Sequence, residues 1–175
     1  HFLTKRFDRE NGRKIHMQTL CGMAHYDFRL KNGHSYEQAF NVMRRLRLPY
    51  SQAQEMFRRI VFNVVVRNQD DHTKNISFLM DSSGQWSLSP AYDMGFAYNP
   101  LGAWTATHQM SINGKFDNIT RADLLSLANA NNIQHASEII DQVCEATAGW
   151  PEFAKNCGVP QKMIDGIVPH MLLSI

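Results

Sequence analysis

The stretch from Ser51 to Arg67 most constrains the fold. Met56, Phe57, Ile60, Val61, Val64 and Val65 recur there at the three- and four-residue spacing of one helix face. The stripe is broader than a surface helix needs, so this helix is expected to be central and buried. Its β-branched end, Val64-Val65-Val66, has low helix propensity, so tertiary packing must hold it. Pro49 closes the element before it, and Ser51 with Gln54 reads as a capping box that opens it. Eight polar residues follow directly, Asn68-Gln69-Asp70-Asp71-His72-Thr73-Lys74-Asn75. A buried segment thereby delivers a polar loop to what is expected to be an exposed end, and a site is expected there.

The spacing narrows the chemistry. Phosphoryl transfer needs a carboxylate to orient the attacking hydroxyl and hard oxygen ligands for magnesium. Asp70 and Asn75 stand five apart, the interval between base and metal-binding Asn in the protein-kinase loop D-x-x-x-x-N. An apolar run from Ile76 to Met80, a turn over Asp81 to Gly84 and a short strand around Trp86 to Leu88 would return Asp93 to the same edge. Asp93 is then the second metal carboxylate, in the part of the Asp of D-F-G. In a chain with ten Asp, one Asp/Asn pair at this interval arises by accident, and Asp70, Asp71 and Asn75 also suit caps and turns. The order of apolar helix, polar loop, hairpin and Asp93 is what favours the chemical assignment.

Elsewhere, Phe2 to Phe7 reads as a strand, and Asn11-Gly12 is a turn signal that makes residues 1–17 a hairpin at a lobe junction. His16 to Met23 reads as short, irregular or helical. His16, His25 and His34 recur every nine residues, which is no ligand spacing, so they are expected to be structural or exposed. Ser35 to Arg47 reads as a helix with Tyr36, Ala39, Phe40, Met43 and Leu46 inward, and Arg44, Arg45 and Arg47 on a solvated face. Trp104 to Lys115 carries a turn but no element pattern, and ordinary loop polarity explains His108, Ser111 and Lys115 better than contact with a substrate. Thr120 with Asp123 opens a helix, Ala136 to Ala148 forms another, and Pro160 stands in the first turn of the last. Trp150 and Phe153 are expected to anchor the core between these helices. The expected fold is mainly α (α+β), a kinase-like C-lobe whose small β-hairpin carries the catalytic and metal-binding loops, with residues 35–100 as catalytic region and 120–175 as C-terminal helices.

A chain of 175 residues, 43% hydrophobic and 19% charged, can bury its own core as one domain or lobe. A net charge of +2 is too mild to argue for nucleic acid. No apolar run approaches the ~20 residues of a membrane span. Cys21, Cys144 and Cys157 form no metal spacing and leave an odd thiol under any pairing, so a reducing cytoplasm is expected. The ten Gly are scattered singly and build no phosphate cradle. With His1 opening the chain, the expectation is a C-terminal lobe whose nucleotide-clamping partner lies upstream.

At these residues the sequence resembles the HipA-type serine/threonine kinases, toxins of bacterial toxin-antitoxin modules. Asp70-Asp71-His72-Thr73-Lys74-Asn75 matches the family's D-x-H-x-K-N loop, Ser89-Pro90-Ala91-Tyr92-Asp93 its metal-binding segment, and Arg6-Phe7-Asp8-Arg9 the entry into the C-lobe. The resemblance spans most of residues 1–100 in motif order. It implies ATP and Mg2+ as cosubstrate and cofactor, a protein Ser/Thr substrate, an antitoxin partner, and DNA reached only through that antitoxin. It further implies Asp70 as catalytic carboxylate, Asn75 and Asp93 as magnesium ligands, and His72, Thr73 and Lys74 along the phosphates. Tyr92 would line the nucleotide pocket, and Lys5, Arg6 and Phe7 would form the hinge against adenine, Lys5 through its backbone. Two other readings stand beside this one. The first is a degenerate kinase-fold module that binds a partner without turnover. The second, weaker, is a metallohydrolase using Asp70, Asp71, His72 and Asp93.

Overall fold

The computed structural model describes residues 3–175. At its centre lies α3 (Tyr50–Val65), whose six stripe residues are all at most 1% exposed. The helix begins one position before Ser51. Pro49, with φ −65°, is its N-cap, no side chain caps it, and the expected Ser51/Gln54 box does not form. A capping box instead opens α2 (Tyr36–Arg45), where Ser35 accepts from the Gln38 N–H and the Gln38 side chain accepts from the Ser35 N–H. Tyr36, Ala39, Phe40 and Met43 of α2 are buried, and Arg44, Arg45 and Arg47 lie outside as expected.

The amino-terminal end departs from the expected strand. Residues 3–6 have no regular structure and Phe2 lies outside the described residues. The hairpin does form, displaced toward the turn: β1 (Arg9–Glu10) pairs antiparallel with β2 (Arg13–Lys14). Asn11 and Gly12 between them take φ of 47° and 77°, the left-handed geometry of a two-residue type I′ turn. His16 to Met23 is more ordered than its sequence suggests. It comprises β3 (His16–Thr19) and α1 (Leu20–Ala24), with the Thr19 hydroxyl accepting from the Gly22 N–H.

β3 supplies the outer strand of a three-stranded antiparallel sheet with β5 (Ser77–Met80) in the middle and β6 (Trp86–Leu88) beyond. The β5–β6 turn is held by Asp81, whose Oδ1 accepts from the N–H groups of Ser83 and Gln85 and from the Ser83 hydroxyl. A parallel pair joins β4 (His34–Ser35) to β7 (Met110–Ser111), placing the previously unassigned segment against the start of α2. The remaining chain is helical: α4 (Arg121–Ala130), α5 (Ala136–Ala148), α6 (Trp150–Asn156) and α7 (Gln161–Ile167). Thr120 and Asp123 form the expected box on α4, while α5 packs along α3. The fold is therefore mixed, helices with small sheets, and one core runs from α2 through α3 and β5 to α4 and α5.

Candidate functional site

The loop after α3 is largely inside the protein, not at an exposed end. Asn68, Gln69, Asp71 and Thr73 are each at most 3% exposed, Asp70, His72 and Asn75 are half-buried, and Lys74 is exposed. Buried backbone must find partners: the Asn68 N–H donates to the Asn63 carbonyl, the Thr73 carbonyl accepts from the Cys21 N–H, and others come from the chain beyond Asp93. The Gln69 N–H donates to the Ala97 carbonyl at 3.0 Å, and the Ala97 N–H to the Arg67 carbonyl at 3.1 Å. The Gln69 amide, oriented to satisfy both of its polar atoms, donates to the carbonyls of Thr105 and Ala106. Segments 67–69 and 97–106 thus form one laced floor.

Asp71 is the anchor of this floor. Its Oδ2 accepts from the Tyr36 hydroxyl at 2.7 Å and from His108 Nδ1 at 2.8 Å, and its Oδ1 accepts from the Gln109 N–H at 2.7 Å. Asn63 Nδ2 donates to Tyr36 Oη at 3.0 Å, and Asn68 Nδ2 donates to Asn63 Oδ1 at 2.9 Å. Burial first, and then the Asp71 charge, raise the Tyr36 phenol well above its usual range, so it stays a donor. Tyr36, Asn63, His108 and Gln109 were not singled out from sequence for this role. Asn63, the one polar residue between Ile60 and Val66, is the local signal in the sequence. His108 and Ser111 are buried rather than loop surface, and Lys115 pairs with Asp123 at 2.8 Å.

With Asp71 turned inward, Asp70 faces the other way. It lines a cavity of about 400 Å³ together with Asn68, Asp93 and residues 94–97. Asn75 Nδ2 donates to the Asp70 carbonyl at 2.9 Å, which leaves Oδ1 as the atom it can offer a cation. Asn75 and Asp93 also line a narrow cleft of about 20 Å³ beside Tyr92, so Asp93 borders both spaces. Asp93 holds φ 54°, a strained backbone for a non-glycine residue and one that functional sites often retain.

The remaining expected contacts divide. Tyr92 sits 5.8 Å from the Phe7 ring, centroid to centroid, which joins the expected hinge segment to the expected metal-binding segment. Its hydroxyl meets Ser77 Oγ and donates to the Lys74 carbonyl. Lys5 is exposed; Arg6 is occupied by a two-pronged pair with Asp8, whose carboxyl the Arg6 hydrogen bond holds down at about 2. Lys74 Nζ lies 3.7 Å from the Phe28 ring centroid, and His72 meets the same ring edge-on. The Thr73 hydroxyl donates to the Tyr26 carbonyl at 2.8 Å inside the fold, so what Thr73 can offer a phosphate is backbone. Among the described residues, no group of three or more His, Cys, Asp and Glu side chains is placed to hold a metal ion. The inward turn of Asp71 removes the set that a metallohydrolase would need. One Asn and one Asp, however, suit magnesium, which keeps waters and substrate phosphates as its other ligands.

The other surfaces depart from expectation at one place. Trp150 is half-buried and Phe153 is 65% exposed, so they wall an open cavity instead of anchoring the core. The three cysteines are unpaired, and among the described residues no helix is long and apolar enough to cross a membrane.

A family described as the HipA-like C-terminal domain matches residues 1–150. "Putative kinase Y4dM" of Sinorhizobium fredii (strain NBRC 101917 / NGR234) is 29% identical over 175 residues, covering 95% of this chain and 42% of that protein. A "Putative kinase" of Haemophilus influenzae is 32% identical over 103 residues, covering 53% and 29%. The chain thus spans less than half the length of these relatives. A chain from the Shewanella oneidensis MR-1 toxin-antitoxin complex of HipA, HipB and operator DNA shares the fold. The TM-score is 0.63 at 22% identity, over 85% of this chain and 39% of that one.

Proposed function

The chain belongs to the family of HipA-like C-terminal domains, and from that premise we propose that it is the catalytic lobe of an ATP- and magnesium-dependent serine/threonine-protein kinase. In the transfer, the acceptor hydroxyl oxygen forms a bond to the γ-phosphorus of ATP, the bond from that phosphorus to the β,γ-bridging oxygen breaks, and ADP leaves. Asp70 orients the acceptor hydroxyl and takes its proton. Asn75, through Oδ1, and Asp93 would hold magnesium, which would neutralise phosphate charge there. Lys74 adds a point charge beside the phosphates, His72 and the Thr73 backbone border them, and Phe7 and Tyr92 cover the base, with Lys5 and Arg6 in the hinge backbone. Positioning and electrostatics supply most of the rate, because a dissociative transfer leaves little covalent work to the protein.

What supports this proposal is that Asp93 links the two spaces that Asp70 and Asn75 line separately. Asn75 is bonded to the backbone of Asp70, and Asp93 borders both the space in front of Asp70 and the cleft beside Asn75. By analogy with the HipA, HipB and operator DNA complex, the partners are an antitoxin protein and, through it, DNA. The relatives' greater length supports a nucleotide-clamping lobe outside residues 1–175, and the three free cysteines suit a reducing cytoplasm. Calorimetric titration with ATP tests the site: weak binding that requires magnesium and vanishes in Asn75→Ala and Asp93→Ala is expected. Binding indifferent to magnesium, or to both substitutions, would overturn it. Retained binding without transfer by the longer protein, Asp70 intact, would favour a non-catalytic module.

A further inference from the structure

Residues Met94, Gly95 and Phe96 wall the space in front of Asp70 and also a second cavity, of about 580 Å³, between α3, α5 and α6. Its lining is mostly apolar: Phe62 from α3 and Val66 just beyond it, Val143 and Ala146 from α5, Trp150 and Phe153 from α6. Charged groups near its edge already have partners. The Arg58 guanidinium donates to Gln142 Oε1 at 3.0 Å, and that of Arg59 donates to Glu55 at 2.8 Å and to the Ser89 carbonyl at 2.9 Å. A concave apolar space of this size with an aromatic ring left 65% exposed at its wall is the kind of feature that receives a ligand.

Resting on the phosphotransfer proposal, we infer that this cavity selects the acceptor protein, by taking a bulky apolar side chain (Leu, Ile, Met or Phe) that flanks the phosphorylated Ser or Thr. The two spaces share a wall of three residues immediately after Asp93, so a chain presenting its hydroxyl to Asp70 has the apolar cavity as its neighbour across that wall. An extended segment advances about 3.3 Å per residue, so a side chain roughly two to four positions from the acceptor lies about 7 to 13 Å along it. Three residues of chain span at most about 10 Å, so that distance is enough to pass residues 94–96. The Arg59 charge is met by Glu55, while Arg58 is held by the neutral Gln142 amide at the edge; within the cavity, burial of apolar surface is therefore the main attraction, and a basic flanking residue gains nothing there.

The test uses fluorescein-labelled Ser peptides, each carrying Leu or Asp at one of positions −4 to −2 or +2 to +4, titrated with this chain by anisotropy. At one of these positions the Leu peptide should bind roughly ten- to a hundredfold tighter than its Asp counterpart, the yield of burying one large apolar side chain. Ala146→Glu, at an exposed position on α5, and Phe153→Ser should erase that preference while magnesium-dependent ATP binding stays unchanged. No Leu preference at any position overturns the inference, as does a preference that survives both substitutions. If the longer protein has lost the preference that this chain shows, the remainder of that protein occupies the cavity and the inference also fails. The outcomes separate from the parent proposal: phosphate transfer without apolar preference sinks only the cavity's role. Apolar preference without transfer by the longer protein sinks the kinase assignment.

Discussion

Asp70 and Asp71 are neighbours in sequence, and replacing each with Ala should give opposite results. Asp71 is 2% exposed and accepts three hydrogen bonds, from Tyr36, His108 and Gln109. Asp71→Ala leaves all three donors buried without their acceptor. Removing one partner of a buried, hydrogen-bonded charged group costs about 3–5 kcal/mol. At this chain length that lowers the midpoint of thermal unfolding by roughly 6–20 °C. Asp70 is half-buried and faces the cavity, and the bond that fixes its position runs from Asn75 to its backbone carbonyl, which Ala retains. Asp70→Ala should therefore stay within about 0.5 kcal/mol of the parent. Urea and thermal unfolding of the two variants, followed by far-ultraviolet circular dichroism, measure the contrast. If Asp71→Ala lies within about 1 kcal/mol of the parent, or if both variants are destabilised alike, the division of labour in this loop is wrong.

Tyr36→Phe removes one donor to Asp71 and the acceptor of Asn63, and should cost about 1–3 kcal/mol in the same unfolding assay. Ser35→Ala, which removes the side-chain cap of α2, should cost about 1 kcal/mol. The Asp123 carboxyl is pushed up by burial, but its hydrogen bonds from Lys115 and Thr120 prevail and bring it from 3.8 down to about 2. A depressed carboxyl stabilises the fold above its unfolded value and ceases to do so as pH falls through its folded one. The stability advantage of the parent over Asp123→Asn should accordingly be constant above about pH 5 and disappear between pH 4 and pH 2, as melting curves across that range will report.

The sequence was most legible where structure is local. The six-residue stripe of α3 is wholly buried, β6 and α5 have the expected bounds while β5 starts one residue after Ile76, and Asn11-Gly12 turns the chain with two positive φ values. These features follow from periodicity and turn chemistry within a few residues. The Ser51/Gln54 expectation failed because Pro49 already supplies an extended N-cap and Tyr50 enters the helix ahead of Ser51. β4 and β7 escaped notice because two-residue strands have no period and their partners lie about 75 residues apart. The Asp71 anchor was hidden for the same reason: Tyr36 and His108 approach it from 35 and 37 residues away. Trp150 and Phe153 show a further limit, since an apolar helix face reads alike whether it meets a core or walls an open cavity. Within the candidate site, the identities of Asp70, Asn75 and Asp93 came from spacing, whereas the opposed directions of the two adjacent carboxylates needed three-dimensional partners.

Transfer of labelled γ-phosphate to a Ser/Thr protein acceptor, by the longer protein containing this chain, tests the central claim most directly. Transfer by the parent that falls at least about 100-fold in Asp70→Gln, with magnesium-dependent ATP binding retained, is the expected result. Undiminished transfer with glutamine at position 70 would contradict it.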